Sequence, residues 1–256
     1  DGKRVYVTNP ESRDVYLIDG ETLSRISHQA VGEGPLGIAL SSDGSRVYIA
    51  DWYEDIVYVL DAYNLTTVAK ISVGSSPSGL AISRNGQRLY VADRDDNRIS
   101  VVDTERNQTI ARIEVGERPF GIRLDTEDKR LYVANVASND VSVIDISSLS
   151  VIATIPVGST PYGIAVTPDN DRVFVTNQHD NSLSVIDPEK LKESHRIEIG
   201  EYPEGIIADP ADDRIYITNW FDNELVVIDS KSLKILKQIP TGESPRAFGT
   251  FVAGGS

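Results

Sequence analysis

A five-residue run returns at a fixed interval along this chain, and that recurrence constrains the fold more than any other feature. Val5-Tyr6-Val7-Thr8-Asn9 is followed by Val47-Tyr48-Ile49-Ala50-Asp51, Leu89-Tyr90-Val91-Ala92-Asp93 and Leu131-Tyr132-Val133-Ala134-Asn135. Val173-Phe174-Val175-Thr176-Asn177 and Ile215-Tyr216-Ile217-Thr218-Asn219 complete the series, each step being 42 residues. Three landmarks keep the same step: Asp at 19, 61, 103, 145, 187 and 229, Gly at 32, 74, 116, 158, 200 and 242, and Pro at 35, 77, 119, 161, 203 and 245. Repetition at about 40–45 residues marks an array of supersecondary units, each too small to bury its own apolar face.

Each unit reads as four short strands. The first follows a Gly-x-x-Pro-x-Gly corner, as in Gly37-Ile38-Ala39-Leu40, and a turn such as Ser42-Asp43-Gly44-Ser45 leads into the second. That second strand is the Tyr-containing run, apolar on both faces as a strand buried between two sheets should be. The third and fourth, such as Val57-Tyr58-Val59-Leu60-Asp61 and Thr67–Val73, alternate apolar and polar residues. Four antiparallel strands in a unit of this length describe a propeller blade. A solenoid would require capping units with polar outer faces, and no unit has that character. We therefore expect an all-β, six-bladed β-propeller forming one domain over residues 1–256. Its N- and C-terminal strands are expected to share one blade, the strand at 246–252 completing the blade begun at 3–31 and removing an open edge. The chain opens at Asp1-Gly2, inside a turn, and is expected to be a mature or trimmed product.

Composition narrows the function. With 25 Lys and Arg against 39 Asp and Glu, the formal charge is −14, which disfavours nucleic acid and anionic membranes as partners and suits a basic one. The absence of cysteine removes disulfides, thiolate catalysis and metal–sulfur sites. No apolar run is long enough to insert into a membrane.

The Val5-Tyr6-Val7-Thr8-Asn9 run, the Val-Ile-Asp runs at 143–145 and 185–187 and the Gly-x-x-Pro-x-Gly corner together resemble the YVTN-repeat β-propeller family. The resemblance covers essentially the whole chain and is closer to the surface-layer, secreted and periplasmic members than to seven-bladed lactonase and streptogramin-lyase propellers. It implies an extracytoplasmic location, secreted, periplasmic or at the cell surface, and little about chemistry, because one fold hosts many functions.

A residue type present at one offset in every unit serves the blade itself. The six aspartates that end the third strands are expected to start turns by accepting backbone N–H bonds. Function is therefore sought where units differ. The residue after the corner proline is Leu36, Ser78, Phe120, Tyr162, Glu204 and Arg246 in turn, a diverse set expected around the channel mouth. The loops between second and third strands, expected on the same face, contribute Trp52, Tyr53, Arg94, His179, Trp220 and Phe221. Large aromatics and arginine on loops are the anchors that interfaces favour.

Arg123 stands where the other units have Ala39, Ala81, Ala165, Ile207 and Gly249, and is expected near the channel, paired with an acid of the adjacent blade or holding an anion. The three histidines do not converge, so no metal site is expected from them. Asp93, Asp95 and Asn97 imitate the start of a calcium loop, but Arg98 stands where the loop needs glycine. No nucleophile with a base, and no paired carboxylates, gather in the repeat alignment. The sequence thus points to a binding or scaffold module for a protein, peptide or glycan, without catalytic residues or cofactor. A lactonase- or lyase-type propeller enzyme, or an accessory subunit of a periplasmic redox enzyme, is the alternative.

Overall fold

The computed structural model describes residues 2–247 and is all-β, a six-bladed β-propeller with one 3-10 turn at Arg94–Asp96. Its described residues separate into two compact units, described in turn, over residues 2–114 and 115–247.

The first unit holds three antiparallel sheets. They comprise β1 (Arg4–Asn9), β2 (Asp14–Asp19) and β3 (Arg25–Ala30), then β4 (Pro35–Leu40), β5 (Arg46–Asp51), β6 (Ile56–Asp61) and β7 (Thr67–Ser72), and finally β8 (Pro77–Ile82), β9 (Arg88–Asp93), β10 (Arg98–Asp103) and β11 (Gln108–Glu114). The first of these sheets shows three strands among the described residues. The strand expected at 246–252 to complete it lies outside them except for Arg246 and Ala247, which are not in a strand.

The second unit repeats the plan with four strands in every sheet. Its sheets are β12 (Pro119–Leu124) to β15 (Ser150–Pro156) through β13 (Arg130–Asn135) and β14 (Asp140–Asp145), and β16 (Pro161–Val166), β17 (Val173–Asn177), β18 (Ser182–Asp187) and β19 (Lys192–Glu198). The last sheet comprises β20 (Pro203–Ala208), β21 (Arg214–Asn219), β22 (Glu224–Asp229) and β23 (Ile235–Pro240).

Packing follows the sequence pattern. Apart from β1, where Val5 and Val7 are exposed, the second strands are largely buried on both faces, and their side chains pack against the neighbouring sheet. Tyr132, Val143 and Ile155 pack on Ile164, Val173 and Val175, and Phe174, Leu183 and Val185 pack on Ile206, Ile215 and Ile217. In the first unit, Val15 and Leu17 meet Val47, Ile49 and Leu60, while Tyr48 and Val59 meet Leu89 and Val91. Each fully buried side chain of this kind contributes about 1.5–3 kcal/mol. Fourth strands face water, β23 being exposed along its whole length.

Two backbone devices recur. Among the described residues, the pairing of first and second strands shifts after five corner prolines, as between Pro119 and Ile122 on β12. The glycine inside that irregularity permits a close approach: a Cβ on Gly121 would stand 2.0 Å from the Tyr162 carbonyl oxygen, and one on Gly163 2.6 Å from that of Glu204. The aspartates ending the third strands act as turn starters. Asp61 Oδ1 accepts from the N–H groups of Tyr63 and Asn64, at 2.9 and 3.1 Å. Asp19, Asp103 and Asp187 do likewise, Asp229 accepts from Ser232 N at 2.6 Å, and Asp145 accepts from Ser148 N at 2.9 Å.

Candidate functional site

In the second unit the corners and the second-to-third-strand loops bring a connected set of side chains together. The residue after each corner proline touches its counterpart one repeat later. Phe120 stacks on Tyr162, with ring centroids 4.2 Å apart and planes 23° apart. Tyr162 interacts in turn with the Glu204 carboxylate, and Glu204 Oε2 lies 3.2 Å from Arg246 Nε. Arg246 ends the row, its guanidinium 3.8 Å above the Trp220 ring.

Burial divides this row. Phe120 is buried, Tyr162 is partly so, Glu204 is 1% exposed and the Arg246 side chain is 49% exposed. The positions following the corner prolines are thus not uniformly solvent-facing: Phe120 and Glu204 are enclosed, and in the first unit Ser78 is buried too. Burial pushes the Glu204 pKa up, while the Arg246 charge and the Tyr162 hydroxyl pull it back. Burial, reinforced by the Glu204 charge, holds the Tyr162 hydroxyl protonated far above the usual tyrosine range, so Tyr162 is not an activated nucleophile.

An aromatic cluster adjoins the row. Tyr202 packs on Trp220 edge-on at 5.4 Å, on Phe221 at 4.8 Å and on His179 at 5.8 Å, and Trp220 stacks on Phe221 at 5.5 Å. Phe221 is 59% exposed, and His179 is exposed with Nδ1 2.9 Å from the Thr160 hydroxyl. Tyr202 was missed by the sequence reading. It occupies the residue before the corner proline, where the backbone is left-handed (φ 56°) and the other units carry Gly34, Ser76, Arg118, Thr160 and Ser244. A lone aromatic at that offset is the signal that would have found it.

The first unit has a smaller counterpart. Trp52 is partly exposed, and the Arg94 guanidinium lies 5.2 Å from its ring centroid while also pairing with Asp95 at 2.7 Å. Tyr53 is 73% exposed and lies over Gly34, whose absent Cβ would stand 2.6 Å from the ring.

Arg123 sits on β12, partly buried, and among the described residues no carboxylate pairs with it. The expected partner from the adjacent blade is therefore not found there. Asp125 instead fastens its own turn, accepting from Lys129 N at 2.8 Å and Arg130 N at 3.0 Å. Around Asp93 the calcium-loop imitation is a 3-10 turn, in which Asp96 Oδ2 accepts from Ser75 N at 2.9 Å. Among the described residues no group of three or more His, Cys, Asp and Glu could hold a metal ion.

Comparison with known proteins agrees with this architecture. Residues 2–118 match the family described as lactonase, seven-bladed beta-propeller, and residues 122–213 match the family described as YNCE-like beta-propeller. The chain is similar to a chain of Kuenenia stuttgartiensis hydrazine synthase, with 23% identity, a TM-score of 0.86, and coverage of 96% of this chain and 85% of that one. It is also similar to a functionally unknown protein from Desulfotomaculum acetoxidans DSM 771, with 17% identity, a TM-score of 0.82, and coverage of 92% and 79%. A search of curated proteins found no match. At these identities the structural likenesses establish the β-propeller fold and nothing more.

Proposed function

We propose that this chain is a non-catalytic extracytoplasmic binding or scaffold module, of the surface-layer, secreted or periplasmic YVTN-repeat type. Its recognition surface for a protein, peptide or glycan is the cluster of Tyr202, Trp220, Phe221 and Arg246. One observation carries the reading: Phe221 is 59% exposed at the edge of three mutually packed aromatic rings, with an arginine seated on one of them. Rigid aromatic area held in place by neighbours binds at low entropic cost, and Trp, Tyr and Arg dominate interface energetics. Loops of uniform length offer no lid to exclude water, as closure around a substrate would require. The test is recovery of partners from the native envelope fraction, with glycan-array binding in parallel, by wild type and by Trp220→Ala/Phe221→Ala. The double variant is expected to lose at least tenfold in binding; equal binding by both proteins would remove this surface from consideration.

A propeller enzyme of lactonase or lyase type is the second reading, favoured by the buried Glu204 with its raised pKa beside Tyr162. A carboxyl tuned upward by burial is the form a general acid takes. Turnover of a lactone panel by wild type, abolished in Glu204→Gln, would support it; no turnover by wild type would oppose it.

A further inference from the structure

Arg123 breaks the repeat in a way the blade does not require. Five sister positions carry Ala39, Ala81, Ala165, Ile207 and Gly249, so the first strand forms without a charge there. Ala165, its counterpart one repeat later, packs with Ile206, Ala208 and Ile215 of the following sheet. By the same register Arg123 projects toward β16 and β17, whose corresponding residues are Ile164, Val166 and Val173. Arg123 is itself partly buried, and burial alone lowers its pKa, with no charge on the other side of the balance. Among the described residues it makes no hydrogen bond and no ion pair. A charge partly withdrawn from water is destabilising unless it is paired.

We propose that Arg123 is an anion-binding residue, and that its ligand is a small oxyanion, a carboxylate or phosphate group, seated against β12. The planar fork of a guanidinium matches both groups through two parallel hydrogen bonds. The overall charge of −14 makes general attraction of anions unfavourable, so binding depends on this local donor. The site shares no residue with the aromatic surface and does not depend on the binding function proposed for it.

The test uses the whole chain in a non-coordinating buffer, titrated with inorganic phosphate, with acetate, and with sodium chloride as an ionic-strength control, following thermal midpoint and calorimetric binding. Arg123→Ala installs the residue of three sister units, so it is expected to fold. Wild type is expected to gain several degrees of midpoint with phosphate or acetate beyond the control and to bind saturably. Arg123→Ala is expected to show neither effect and to match or exceed wild-type stability without anion. Equal anion responses in both proteins would mean an adventitious ion only. A lack of response in wild type, or destabilisation of Arg123→Ala regardless of anion, would equally overturn the assignment.

Discussion

Replacing Arg246 by alanine should destabilise the protein in a way that depends on pH, because the arginine stands between a buried carboxylate and water. Glu204 is 1% exposed, and Arg246 Nε lies 3.2 Å from its Oε2. Removing one member of a fully buried pair costs about 3–5 kcal/mol. The Arg246 side chain is 49% exposed, so solvent screening reduces this to about 2 kcal/mol. Loss of the contact with the Trp220 ring, 3.8 Å away, adds about 1 kcal/mol that does not depend on pH. Burial has already raised the Glu204 pKa, and without Arg246 it rises further. A carboxyl whose folded-state pKa exceeds its unfolded value favours the folded state at low pH, and that stabilisation is lost as pH climbs through the folded value. The variant should therefore lose about 3 kcal/mol near pH 8, where Glu204 must ionise or take up a proton, but only about 1 kcal/mol near pH 5. Urea unfolding followed by tryptophan fluorescence at the two pH values reads the difference directly. Adding Glu204→Gln should bring the loss near pH 8 down toward that near pH 5. Identical losses at both pH values would show that Glu204 bears no buried charge and would refute the reasoning.

Further outcomes follow from the backbone and the turns. Gly121→Ala would place a Cβ 2.0 Å from the Tyr162 carbonyl oxygen and should cost more than about 3 kcal/mol or prevent soluble expression. Gly242→Ala, with nothing within 4 Å, should be neutral in the same urea assay. Asp145 should titrate at about 2 by carboxyl-carbon NMR, because the Ser147 hydroxyl and the Ser148 N–H and hydroxyl bond its charged form. With its folded-state pKa depressed, its stabilising effect is present above the ordinary aspartate range and is lost as pH falls toward about 2; Ser147→Ala should move the titration upward.

Most of the fold was legible because the repeat reports its own boundaries. Five of the corner prolines open first strands, the strand-ending aspartates start turns, and the Tyr-containing runs after the first are buried second strands, as the repeat predicts. Other positions gave no such warning. Leu65, Leu149, Leu191 and Leu233 adopt positive φ, between 51° and 62°, in the turns that the aspartates begin. A leucine is an unfavourable choice for that conformation, and nothing in the local sequence announces it. Burial explains the best case: Leu65 is 0% exposed, and its N–H bonds the Asp61 carbonyl at 2.9 Å.

The candidate site divides along the same line. Sequence alone determined which positions vary, and so nominated Phe120, Tyr162, Glu204, Arg246, Trp220 and Phe221. The tertiary structure decided that the first four form a row of successive contacts, that Glu204 is sealed beneath Arg246, and that Tyr202 links the row's tryptophan to Phe221 and His179. Strand periodicity is written in neighbours along the chain, whereas these contacts join residues from about half a repeat to a full repeat apart. Their existence depends on how far one sheet stands from the next and on where each side chain points across that gap, which a linear pattern does not encode.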